Sequence, residues 1–167
     1  MAMESGKKVM VAIDENESSY HAFIWVLENL KESINNSNNP LTIFMAQPSP
    51  TSNHVFSAAL GSARMYCQVS ATPEFVNSVR EQNKRLSLGL LEKAKAICTS
   101  RGVNAETITE IGDPKQAICN AVQKYNISLL VLGDHDIGKI RRALLGSVSN
   151  YCVHNASCSV LVVKKPE

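Results

Sequence analysis

The stretch from Lys8 to Leu30, KVMVAIDENESSYHAFIWVLENL, decides the fold. Its first part, KVMVAI (Lys8 to Ile13), is a short apolar run without polar alternation, which predicts a strand buried on both faces. An acidic turn, DENESS, follows and is rich in residues that start helices. Beyond it Ala22, Trp25, Val26, Leu30 and Ile34 recur at helical spacing and give the helix one apolar side. A buried strand feeding an amphipathic helix is the opening of a βαβ unit, and so predicts a parallel sheet.

The same alternation continues along the chain. NNSNNP closes the first helix, and LTIFMA (Leu41 to Ala46) is a second buried strand. From Gln47 to Pro73 the pattern is poor, with prolines and many small residues, a length that suits a lid or mobile loop. A long helix follows with Val76, Val79, Leu86, Leu90, Ala94 and Ile97 as its stripe and Gly89 inside it. Val103 to Glu110 alternates polar and apolar residues, as an edge strand does. GDPKQ starts the next helix, with Asp113 at the N-cap, Pro114 at N1 and Gln116 at N3. Ile127 to Leu132 and Cys158 to Val163 are the remaining strands, separated by a glycine-containing loop and a short helix. The fold class is therefore α/β: a doubly wound five-stranded parallel sheet with helices on both faces, in one domain over residues 1–167. In such sheets ligands lie outside the carboxyl ends of the strands, where strand order reverses.

Composition narrows the function classes. At 167 residues, 44% apolar and 19% charged, the chain can bury a real core. A net charge of +2 is too small to imply a nucleic-acid or membrane surface. No apolar run approaches the roughly 20 residues that span a bilayer. The N-terminal apolar stretch is too short for a signal peptide, so a cytoplasmic location is expected. Cys67, Cys98, Cys119, Cys152 and Cys158 are odd in number and form no C-x-x-C pair; they read as reduced thiols filling the core, with a redox sensor as the minority reading. N-x-S triplets at Asn16, Asn35, Asn126 and Asn155 read as chance in that compartment.

Two loops fall at the predicted ligand end. One is the acidic turn after the first strand, where Asp14 either starts the following helix or accepts a hydrogen bond from a nucleotide. The other is LGDHDIGKIRRALLGSVSN (Leu132 to Asn150). A strand end opening into a helix exposes unpaired N–H groups and a positive dipole end, both favourable to an anion. Gly146 allows close approach, Ser147 and Ser149 add hydroxyl donors, and Lys139, Arg141 and Arg142 add positive charge against Asp134 and Asp136. The competing reading is a plain helix start beside a solvated basic face. His135 has no Cys or His neighbour at metal spacing, and Ser147 does not lie in a G-x-S-x-G elbow, so neither a metal site nor a catalytic serine is expected.

These segments resemble the universal stress protein family, above all its small single-domain plant members. VMVAIDENESSYHAFIWVLENL is similar to its first strand, turn and helix, GDPKQAI to the start of its third helix, and GSVSNYCVHNASCSVLVV to its last helix and strand. Its nucleotide-binding members carry G-x2-G-x9-G-[S/T]; here Gly133 and Gly146-Ser147 match in spacing, and Asp136 stands at the second glycine. The resemblance implies an adenine nucleotide, ATP or AMP. Ala12, Ile13 and Asp14 would line the adenosine end, and Ala46 would offer backbone groups to the base. Leu132 and Gly133 would sit under the ribose and first phosphate, with His135, Gly146, Ser147, Val148 and Ser149 reaching the phosphates.

Asp136 opposes the last part. A carboxylate about 4 to 5 Å from a phosphate oxygen costs roughly 3 to 4 kcal/mol at an effective dielectric near 20, unless Arg141, Arg142 or a bridging Mg²⁺ screens it. The leading expectation is a dimeric, nucleotide-binding stress-response sensor or signalling module that retains its nucleotide and is not an enzyme, slow ATP hydrolysis aside. The alternative is a nucleotide-free interaction protein of the same fold. A phosphohydrolase or nucleotidyl transferase would need a metal site that the sequence does not display. With strand order 3-2-1-4-5, Cys158 to Val163 becomes an apolar edge, which predicts a homodimer through that strand.

Overall fold

The computed structural model describes residues 6–49, 56–60, 63–67, 73–134 and 145–166. Strand β1 (Val9–Ala12) leads into helices α1 (Glu17–Asn29) and α2 (Lys31–Asn36), then β2 (Leu41–Gln47). A short pair, β3 (Phe56–Leu60) and β4 (Ala63–Cys67), precedes the long α3 (Pro73–Ser100) and β5 (Ala105–Ile111). Helix α4 (Pro114–Lys124), β6 (Leu129–Gly133), α5 (Ser147–Asn155) and β7 (Ser159–Val163) complete the order.

Five strands form one parallel sheet in the order β5-β2-β1-β6-β7, which is 3-2-1-4-5 when those strands alone are counted. Every residue of β1 is buried, and this explains its unbroken apolar run. Val9 and Val11 pack on one face with Phe23, Val26 and Leu27 of α1 and Leu91, Ala94 and Cys98 of α3. Met10 and Ala12 pack on the other with Ile118, Ala121 and Val122 of α4 and Cys152 of α5. Each large side chain removed from water in these clusters contributes roughly 1.5 to 3 kcal/mol of transfer free energy. Chain order reverses between β1 and β6, so their carboxyl ends mark the switch point.

Several local expectations change. Residues 56–60 and 63–67 of the weakly patterned segment form an antiparallel hairpin, separate from the main sheet. The first helix does not run unbroken to Ile34: Leu30 leaves helical geometry (φ −114°, ψ 3°), and the restart as α2 buries Ile34. In α3 the buried stripe is Ser87, Leu91, Ala94 and Cys98, while Leu86 is 52% exposed. That register keeps spacings of three and four residues and runs through Gly89 without a break. Asp113 does occupy the N-cap of α4, with Pro114 after it, yet its carboxylate makes no capping hydrogen bond.

Candidate functional site

The turn after β1 is held by its own side chains. Asp14 Oδ1 accepts the backbone N–H of Asn16 at 2.8 Å, an Asx turn, and Asp14 Oδ2 accepts from Asn16 Nδ2 at 2.9 Å. Buried Ser19 then fastens the turn to α1. Its hydroxyl accepts the Asp14 N–H at 3.0 Å and faces the carbonyls of Asn16 (3.0 Å) and Asp14 (3.2 Å). Asn16, not Asp14, is the N-cap of α1, so the helix-start reading of Asp14 gives way. Its carboxylate is exposed and oriented, with oxygen lone pairs left over for a further donor.

Gly133, at the end of β6, meets this turn from below. A Cβ there would lie 2.3 Å from the Ser18 carbonyl oxygen and 2.8 Å from the Ser19 nitrogen, so α1 can approach β6 only over a glycine. Across the crevice α5 begins at Gly146, and Asn150 N–H donates to the Gly146 carbonyl at 2.8 Å. The N–H groups of Ser147, Val148 and Ser149 precede that first intrahelical bond, as at any helix start. The Ser149 hydroxyl is buried and donates to the Gly133 carbonyl at 3.2 Å. Its hydroxyl proton is thus directed at the protein here, and its backbone N–H faces the start of α5 without an intrahelical partner. The exposed Ser147 hydroxyl carries no such bond among the described residues.

Together these residues enclose a cavity of about 270 Å³ at the carboxyl ends of β1, β2 and β6. Ala12, Ile13, Asp14, Ala46, Leu132, Gly133, Ser147, Val148 and Ser149 all line it, as the sequence reading grouped them. Gly146 stays just behind, buried as the α5 N-cap. His135 and Asp136 lie outside the described residues, as do Lys139, Arg141 and Arg142, and so does the expectation of Mg²⁺ bridging Asp136. Asn16, Ser18, Ser19, Pro114 and Ile118 also line the cavity and were not anticipated. They belong to the first turns of α1 and α4, and the signal for them was the DENESS and GDPKQ helix starts. Residues from the starts of α1, α4 and α5 thus line one space, and of these α1 carries an acid, Glu17, in its first turn while α5 carries none.

A second cavity, about 340 Å³, lies on the far side of the same turn between α1 and α3. It shares Ile13, Asp14, Asn16 and Ser19 with the first cavity, and its apolar wall is Tyr20, Phe23, Leu90, Ala94 and Ile97. Size favours this cavity, but chemistry favours the first, where the ends of β2 and β6 and the start of α5 add directed donors. Among the described residues no group of three His, Cys, Asp or Glu could hold a metal ion, and no helix is long and apolar enough to cross a membrane.

Sheet order and crevice define a doubly wound α/β protein with a cavity at its topological switch point. The sequence model of the universal stress protein family matches residues 6–164, and the chain belongs to that family. It is 30% identical to the universal stress protein A-like protein of Arabidopsis thaliana, over 95% of this chain and 90% of that one. It is also 30% identical to universal stress protein YxiE of Bacillus subtilis, over 94% and 98% of the two chains. Among solved structures, a universal stress protein family protein from Arabidopsis thaliana with AMP bound superposes with a TM-score of 0.65 at 28% identity, covering 96% of this chain and 92% of that one. UspA from Lactobacillus plantarum shares the fold, with a TM-score of 0.69 at 18% identity over 95% and 97% of the chains.

Proposed function

We propose that the crevice binds an adenine nucleotide, AMP or ATP, and that the protein acts as a dimeric stress-response sensor that retains the nucleotide. The observation that carries this reading is the convergence of an oriented, exposed carboxylate, Asp14, with three helix N-termini around one cavity. A ribose hydroxyl donates to Asp14, the base lies against Ala12, Ile13 and Ala46, and phosphate oxygens take the amides that open α5. The AMP-bound Arabidopsis relative supports the choice of ligand. The proposal takes the nucleotide to be retained rather than turned over; Asp14 is the one titratable side chain in the described part of the lining. Dimerisation rests on the apolar edge at β7, where Val162 is half-buried and belongs to neither packed core.

The test is calorimetric titration of AMP and ATP, with and without Mg²⁺, into the wild type, Asp14→Ala and Asp136→Gly, alongside sedimentation of the free protein. Wild-type binding that weakens tenfold or more in Asp14→Ala supports the reading, in line with the roughly 1.5 to 3 kcal/mol of a charge-assisted hydrogen bond. A silent wild type with a binding Asp136→Gly variant establishes the nucleotide-free alternative, which Asp136 at the second glycine position favours. Silence from both variants and wild type refutes the site, and a monomer in sedimentation refutes the β7 interface.

A further inference from the structure

Cys119 of α4 and Cys152 of α5 face each other across the seam between the two helices, Sγ to Sγ 3.8 Å, with the Cys119 thiol donating. Both are free thiols. Cys152 is fully buried, whereas Cys119 is half-buried and within reach of a small oxidant. Nearby Cys158 points its thiol to the Ser159 carbonyl at 3.3 Å, and Cys98 packs on the opposite face of the sheet. A disulfide needs the sulfurs to close from 3.8 Å to about 2.05 Å, a movement within reach of side-chain rotation and a small shift of one helix.

We propose that Cys119 and Cys152 form a reversible disulfide that ties α4 to α5 directly beneath the crevice. The oxidant is a hydroperoxide, of which hydrogen peroxide is the simplest. The Cys119 sulfur attacks one peroxide oxygen, the O–O bond breaks, and the departing hydroxide leaves as water with the thiol proton, giving a sulfenic acid. The Cys152 sulfur then attacks the Cys119 sulfur, the S–O bond breaks, and hydroxide leaves with the Cys152 proton as a second water. Two thiols are oxidised to one disulfide, and one peroxide is reduced to two waters.

Burial pushes both thiols above their ordinary value, Cys152 to about 12, with the proximity of Cys119 adding to the shift. Thiolate is therefore scarce at neutral pH, and the pair responds slowly, to sustained rather than brief peroxide. The link reaches the site because Ile118, beside Cys119, and Ser149, one turn before Cys152, both line the crevice.

Peroxide-treated full-length protein, thiol-blocked and digested without reductant, is expected to yield a peptide joining Cys119 to Cys152 within one chain. Dithiothreitol should reverse it, Cys158→Ser should retain it, and Cys119→Ser should lack it. Amide hydrogen exchange over residues 114–118 and 147–149 should change several-fold between reduced and oxidised protein, a readout that needs no nucleotide. A link to Cys158, to Cys67 or to a second chain overturns the proposal. So does sulfinic acid at Cys119 beside a free Cys152 thiol, or unchanged exchange at the crevice.

Discussion

The wall of the crevice built by Asp14 to Ser19 and the wall built by the start of α5 both follow a parallel strand, yet they are finished differently. On the first, the turn consumes its own polar groups: Asp14 bonds Asn16 twice, and Ser19 locks the backbone on either side. It also carries Glu17 in the first turn of α1, so negative charge already meets that dipole end. The second wall has no acid in its first turn, and its foremost amides have no partner within α5. A rigid acidic wall suits the neutral, donor-rich ribose, and an open amide wall suits an anion. On the proposed function, the contrast would hold a nucleotide in one orientation in the crevice.

The sharpest way to break that contrast is to make the walls alike. Ser147→Asp puts a carboxylate at the first position of α5. As a helix residue it should stabilise the fold by roughly 0.3 to 1 kcal/mol, because it faces the positive dipole end. As a neighbour of phosphate it should weaken AMP binding by roughly 3 to 4 kcal/mol, a few hundredfold, if the separation is about 4 to 5 Å. Thermal melts and calorimetry on one sample must then move in opposite directions. Higher stability with unchanged affinity would move the anion elsewhere.

Gly133→Ala tests the floor that both walls share. The added methyl meets backbone rather than a flexible side chain, so α1 must lift from β6. The expected loss is about 1 to 3 kcal/mol by chemical denaturation, with weaker AMP binding in whatever remains folded. Wild-type stability in this variant would mean that α1 and β6 separate more easily than their packing indicates.

This glycine also shows how far the sequence could be read. It was legible as special from the glycine spacing, and that spacing pointed to phosphate; the structure gives it a backbone crossing that no local pattern encodes. The inner sheet strands were legible because burial on both faces leaves continuous apolar runs such as Val9–Ala12, and β5 because its polar alternation marks an edge. Asp14 and Ser147–Ser149 were legible because they sit at strand and helix ends. Ser18, Pro114 and Ile118 were not, since only the order of the sheet brings the starts of α1 and α4 into one space. The β3–β4 pair was hidden for another reason: its sequence, FSAAL and ARMYC, has little alternation to betray a strand.

Smaller effects separate the walls by their serines. Ser19 bonds the Asp14 N–H and faces two carbonyls, whereas Ser149 serves the Gly133 carbonyl alone. Ser19→Ala should cost about 2 kcal/mol and Ser149→Ala about 1 kcal/mol, since each removes the partner of a buried group. Affinity should split further, with Ser19→Ala disordering the Asp14 carboxylate and Ser149→Ala leaving the α5 amides in place. Equal losses of AMP affinity in the two variants would erase the distinction between a locked and an open wall.

The smallest effect concerns the charge on the locked wall. Lys165 holds Glu17 at 2.6 Å, and this hydrogen bond and ion pair keep the Glu17 carboxyl below its ordinary value. A depressed carboxylate stabilises the fold above its unfolded pKa and loses that contribution as pH falls through the folded one. Any benefit of the pair is thus complete at neutral pH and fades in acid, and it is slight because Glu17 is fully exposed. Lys165→Ala should return the Glu17 titration, followed by NMR, toward the ordinary carboxylate value and leave the neutral-pH melting temperature nearly unchanged. It should also leave AMP affinity alone, because Glu17 belongs to the apolar cavity's lining and not to that of the crevice. A marked affinity change on losing Lys165 would place the anion against α1 after all, and the two walls would exchange roles.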